Sequence, residues 1–289
     1  MITFAQGSNI TIVGNKTSVT GSHSFRKIFD LKDQKKLQEH ILKEENTDID
    51  TLDLSLFSES GNELEQYKNI TSFLNNDLSK ELMIDSIDPE VIDFILNNYN
   101  KKPIINSINL SYGIDFLKDL FNKIKDHPAK VVAMTIDEND LAYSQKEKLD
   151  IIKTIYELWV YEYKFDPSDL LVDALVLPVI NPNKKLAFHS VYDTFRTIEK
   201  VHFLYDNVKT ILGISNISFG INNKYRKLVD TVYFYEAISY KLDIAMINPD
   251  SVVDRKVISE SDWNLISDLL HKNKDSLENI LNTYPDFLD

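Results

Sequence analysis

Eight times along the chain, a short apolar run breaks off into polar residues and a helical pattern follows. Strands that alternate with helices wind into a parallel sheet clothed by those helices, so this recurrence restricts the fold more than composition does. The runs are Ile10–Gly14, Asp48–Leu56, Leu82–Ile84, Pro103–Ile105, Lys130–Ile136, Leu170–Val172, Ile211–Ile214 and Leu242–Ile247. No linker rich in Pro, Gly or Ser divides them. The pattern predicts an α/β protein, a single (β/α)8 TIM barrel over residues 1–289, with 1–9 as an N-terminal cap and 260–289 as closing helices. A doubly wound sheet is the rival, but no Gly-x-Gly-x-x-Gly follows the first run.

Local signals place the helices. Ser22 or Ser24 caps a helix carrying Phe25, Ile28 and Phe29, and Asp88 caps another with Pro89 at its first position. Leu149, Ile152, Ile155, Tyr156 and Trp159 recur at helical spacing, which makes these aromatics core residues rather than a cofactor box. Trp263, Ile266, Leu269 and Leu270, then Leu277, Ile280 and Leu281, read as the two closing helices.

A net charge of −13 argues against nucleic acid or an anionic membrane as partner. No apolar run approaches the ~20 residues of a membrane span. The start Met-Ile-Thr-Phe-Ala-Gln-Gly lacks the basic region of a signal peptide, so a cytoplasmic protein is expected. With no cysteine, disulfides, thiolate zinc, iron–sulfur clusters and a Cys nucleophile are excluded. The six histidines never fall at His-x-x-x-His spacing, and no metal site is expected.

In a barrel of this kind the carboxyl ends of the strands face one shared cavity. Here they carry Asp53 and Ser55, Asp85, Asn106, Asp137, Asp173, Asn216 and Asn248, and the seventh opens into a turn holding Ser215, Asn216 and Ser218 that Gly220 ends. Carboxylates match paired N–H donors, and an Asn offers donor and acceptor together, so the set suits a flat heterocycle rich in N–H groups. A plainer reading stands beside each residue, since a polar group after a strand is often a turn former or cap. Asp53 and Ser55 read equally as rim lining, Asp88 as a cap, and Asp137 to Asp140 as a solvated loop. Asp85, Asn106, Asp173 and Asn216 carry the functional reading.

The motifs Asp85-Ser86, Asn106-Ser107-Ile108-Asn109, Ile136-Asp137-Glu138-Asn139, Leu175-Val176-Leu177-Pro178, Ser215-Asn216-Ile217-Ser218-Phe219-Gly220 and Ile247-Asn248-Pro249 resemble the pterin-binding family over nearly the whole chain. The similarity is to the branch of methyltetrahydrofolate:corrinoid methyltransferases, which includes the folate domain of cobalamin-dependent methionine synthase. Dihydropteroate synthases are less similar, because their late Lys and Arg motifs have no counterpart. The resemblance implies a pterin held by Asp85, Asn106 and Asp173, with Ser55 and Ser218 beside it and Asn216 as the catalytic residue near N5. It also implies methyltetrahydrofolate as substrate, a cobalamin or other corrinoid carried by a separate protein, and a homodimer through outer helices. The chain lacks the Asp-x-His-x-x-Gly motif of cobalamin carriers.

The chain departs from that family in places. Gly14-Asn15-Lys16-Thr17-Ser18 stands where Gly-Glu-Arg-x-Asn is usual, Asp53-Leu54-Ser55 where Asp-x-Asn is, and Ala174 breaks the Asp-Pro of the sixth strand. Asp230 replaces an Asn, and Asp140 and Lys241 replace glycines. These losses support a second reading, a diverged barrel that binds a pterin or folate with weak or no methyl transfer. A barrel enzyme acting on another heterocycle is a third.

Overall fold

The computed structural model describes residues 10–58, 61–180, 187–271 and 276–288. The expected N-terminal cap, residues 1–9, lies outside them. Eight parallel strands close into a barrel: β1 (Thr11–Ser18), β2 (Thr51–Ser55), β3 (Glu81–Asp85), β4 (Ile104–Ile108), β5 (Lys130–Met134), β6 (Leu170–Asp173), β7 (Lys209–Gly213) and β8 (Ile244–Ile247). Each strand pairs with the next in sequence, and β8 pairs with β1. The (β/α)8 barrel is therefore the observed fold.

The helices are α1 (His23–Asp30), α2 (Gln34–Glu45), α3 (Glu63–Asn76), α4 (Pro89–Asn98), α5 (Gly113–Asp126), α6 (Gln145–Tyr156), α7 (Ala187–Leu204), α8 (Asn223–Ser239), α9 (Glu260–Leu270) and α10 (Ser276–Thr283). Local chemistry sets several starts. Ser22 caps α1 by accepting from the Phe25 N–H, and Asp88 caps α4 with Pro89 at its first position. Ser144 and Glu147 form a reciprocal capping box on α6; such caps contribute roughly 1 kcal/mol each. A π turn, Glu157–Glu162, prolongs α6 and buries Trp159, whose indole N–H donates to the Asp166 carbonyl at 2.9 Å.

Two apolar regions lie between the sheet and the helices, and a smaller one fills the barrel. The interior cluster takes Val13, Met83, Ile104, Val132, Leu171, Ile211 and Ile244, one from each strand except β2. In β2, Leu52 and Leu54 face the helices, which turns Thr51, Asp53 and Ser55 inward.

Several strand boundaries differ from expectation; β4, for one, runs on to Ile108 and takes in Asn106. Residues 15–18, read as loop from their polarity, continue β1 after an irregularity in its register with β2. The neighbouring strand and polar side chains hold them: the Thr17 hydroxyl donates to the Asp53 carbonyl, and Lys16 Nζ pairs with Asp250 at 2.7 Å. Strand β5 stops at Met134 instead of Ile136, because Ile136–Asp137 folds back against Asp140–Leu141. Among the described residues, no helix is long and apolar enough to cross a membrane.

Candidate active site

Strand register brings the predicted residues to one end of the barrel. Asp85 pairs in register with Asn106, Asp173 pairs with Met134 on one side and Ile211 on the other, and Ser55 ends β2. Asp85, Asn106 and Asp173 each lie two positions beyond an interior residue (Met83, Ile104 and Leu171), so the pleat turns them inward at the mouth. Asn216 follows β7 in a short 3-10 turn, Ile214–Ser218, and is exposed. Its amide folds back over Gly213, where an added Cβ would stand 3.2 Å from Nδ2. Gly213 thus leaves the space that lets Asn216 reach over the strand end.

The other candidates are engaged within the protein. Ser218 is buried; its hydroxyl donates to the Ser215 carbonyl at 3.2 Å and also bonds the Asp230 carboxyl, so it braces the turn that carries Asn216. Asn248 caps the turn after β8, and Asp137 accepts the Asn139 N–H at 2.8 Å within its loop. For those two the plainer reading holds.

At the centre of the network lies Asp53, a strand-end candidate that reads equally as rim lining in the sequence. Asp53 lies inside the barrel beside Met83, 2% exposed, and its Oδ1 has no hydrogen-bond partner among the described residues. Burial pushes its carboxyl well above the ordinary range, the neighbouring Asp85 charge pushes it further, and a hydrogen bond from Asn106 opposes both. Burial raises Asp85 as well, against the Ser55 hydroxyl. Each of the two carboxyls is therefore harder to ionise than a solvated one, and ionising one opposes ionising the other. The signal in the sequence was the alternation of β2: with Leu52 and Leu54 outward, Asp53 has to point in.

Asp173 sits two strands beyond Asn106. Its Oδ1 accepts the Leu175 N–H at 2.8 Å, and its carboxyl rises to about 6 through burial, opposed by that N–H and by Lys148. Beside β2 and β3 a cavity of about 320 Å3 is lined by Thr20, Ser55, Phe57, Glu63, Asp85 and Asp88 among others. Glu63 adds a fourth carboxyl raised by burial, and its Oε1 is unpartnered among the described residues. Buried acceptors that lack donors, with no cation in that lining, favour an incoming group rich in N–H. Among the described residues no cluster of three or more His, Asp or Glu could hold a metal.

A family model described as pterin binding enzyme matches residues 17–248. The chain is 28% identical over 278 residues to methionine synthase of Mycobacterium tuberculosis and 26% identical over 276 residues to that of Mycobacterium leprae. Each alignment covers 93% of this chain and 23% of the relative, so the chain spans about a quarter of their length. Among solved structures, dihydropteroate synthase from Clostridium difficile in the presence of pteroic acid superposes with a TM-score of 0.56 at 15% identity, covering 97% of this chain and 99% of the other. The Coxiella burnetii enzyme in complex with pteroic acid gives 0.53 at 12% identity, covering 92% and 94%. At those identities the two structures speak for the fold alone.

Proposed function

The chain belongs to the pterin-binding enzyme family, and from that premise we propose that it moves the N5-methyl group between methyltetrahydrofolate and the cobalt of a corrinoid carried by a separate protein. The observation that carries the reading is the inward set at the barrel mouth, with Asp85 and Asn106 adjacent and Asp173 two strands beyond Asn106. Kinship with methionine synthases favours methyltetrahydrofolate over the dihydropteroate chemistry of the structural neighbours.

In this reading Asp85, Asn106 and Asp173 hold the amino-pyrimidinone edge of the pterin, with Ser55 fixing the Asp85 carboxyl. Ser218 acts at one remove by bracing the turn under Asn216. A tertiary amine leaves poorly until N5 carries positive charge. The Asn216 carbonyl accepts a hydrogen bond from protonated N5, a bond that unprotonated N5 cannot donate, so the site favours the protonated form from which the methyl group leaves. The N5–methyl bond then breaks with its electron pair staying on nitrogen, while the electron pair of Co(I) forms the new bond to carbon. Phe57, Ile87, Tyr112 and Phe219 stand exposed on the segments after the strand ends, with Ile114 exposed in the first turn of α5, an apolar rim suited to a partner that covers the ligand and brings the cobalt to it.

One observation favours the second reading, pterin binding without transfer. Lys16, which stands where the family's first-loop Arg is usual, is bound to Asp250 beside β8. Mixing the protein with methyltetrahydrofolate and reduced cobalamin, and following the Co(I) absorption band, separates the two. Decay of the band with formation of methylcobalamin supports transfer. Binding by calorimetry with an unchanged band leaves a binding barrel, and no binding at all overturns both.

A further inference from the structure

Lys148 is fully buried, although it lies on a helix that the sequence reading treated only as a source of core residues. It shares the inner face of α6 with Ile152 and Ile155, at helical spacing. Its Nζ donates to the Thr194 hydroxyl at 2.6 Å. That hydroxyl, on α7, lies 2.8 Å from the Leu175 carbonyl and 3.0 Å from the Ser190 carbonyl. Leu175 has φ +60, a conformation costly for a β-carbon-bearing residue, and its N–H is the one that Asp173 accepts.

We propose that Lys148 and Thr194 are positioning residues for Asp173: the buried ammonium fixes the Thr194 hydroxyl, which holds Leu175 in its left-handed conformation, which aims the Leu175 N–H at the Asp173 carboxylate. The proposal rests on Asp173 binding the pterin. A buried lysine with one hydrogen-bond partner among the described residues is costly to maintain, and nothing else in the methyl-transfer reading uses it. Burial lowers Lys148 to about 8, against the charges of Asp173, Asp193 and Glu147. Among the described residues Lys148 is the cation whose charge acts on Asp173, and the buried Tyr233 hydroxyl on α8 feels the Asp173 charge in turn. With Lys148 charged and Leu175 in place, Asp173 stays ionised at neutral pH, ready to accept from an N–H-rich ring edge.

The test is calorimetric titration of methyltetrahydrofolate into the intact chain from pH 5 to 9, for wild type, Thr194→Val, Thr194→Ser, Lys148→Met and Asp173→Ala. Thr194→Val exchanges a hydroxyl for a methyl of the same shape. It weakens binding about tenfold, the scale of a lost hydrogen bond, and Thr194→Ser restores it. In Lys148→Met the pH at which affinity falls away moves upward by about one unit, because Asp173 has lost its cation. Should Lys148→Met not fold, the Thr194→Val profile decides, since its midpoint must also rise. Wild-type affinity and midpoint in Thr194→Val, with binding abolished in Asp173→Ala, would overturn the positioning role and leave the pterin site standing. Full binding in Asp173→Ala would overturn the site itself.

Discussion

Replacing Asp230 by asparagine should make the protein more stable as pH rises, and the size of the effect follows from its surroundings. Asp230 lies on α8, 3% exposed, with Oδ1 unpartnered among the described residues. Burial lifts its carboxyl to about 7, opposed by the Ser218 hydroxyl and the Arg226 charge. In the unfolded chain an Asp titrates near ~3.9. Between these values the native state holds a proton that the unfolded state has lost, so stability falls as pH climbs from about 4 to about 7 and is flat on either side. Three units at about 1.4 kcal/mol each give a cost near ~4 kcal/mol above pH 7. At pH 5.5 the same linkage costs about 2 kcal/mol, so the stability gap between Asp230→Asn and wild type should widen by about 2 kcal/mol from pH 5.5 to 8.5. The other raised carboxyls, Asp53, Glu63, Asp85 and Asp173, are common to both proteins and cancel in the difference. Asparagine keeps an acceptor for Ser218 and leaves only a neutral amide where a charge had been buried. Urea denaturation at the two pH values measures the gap, and parallel profiles for the two proteins would refute the reasoning.

Other outcomes follow from single features of the structure. Lys241 has φ +70 and ends α8 with its N–H on the Ile238 carbonyl and the Leu242 N–H on the Ala237 carbonyl, so Lys241→Gly should raise stability by about 1 kcal/mol by urea denaturation; an unchanged midpoint would mean that the strain is absent. Asn216→Ala should cut the transfer rate by roughly one to three orders of magnitude while the calorimetric affinity for methyltetrahydrofolate changes far less, and equal losses would make Asn216 a binding residue only. Because Asp173 titrates at about 6, pterin affinity should be level above that pH and decline below it, and an affinity unchanged down to pH 5 would remove Asp173 from the contact.

The barrel was legible because its signals are local. Apolar runs of strand length, caps such as Ser22 and Asp88, and the helical spacing of Leu149 to Trp159 each report on a few neighbouring residues, and their eightfold repetition leaves few architectures open. The inward set of Asp85, Asn106 and Asp173 was legible for the same reason, since each lies two positions beyond an apolar residue of its strand, Met83, Ile104 and Leu171. At Asp140 and Lys241 the resemblance implies glycine, and both positions keep a positive φ, 138 and 70.

What the sequence could not carry is anything fixed by a partner far along the chain. Residues 15–18 look like loop until β2 and Asp250 hold them extended. Asp53 becomes more than rim lining only when Asp85 and Asn106 close around it, and Lys148 becomes a buried cation only when α7 brings Thr194 over its ammonium. Strand and helix are chosen by spacing along the backbone. The charge of a carboxyl or an amine is chosen by how much water is excluded and which groups face it across the fold, and those neighbours exist only once the barrel has closed.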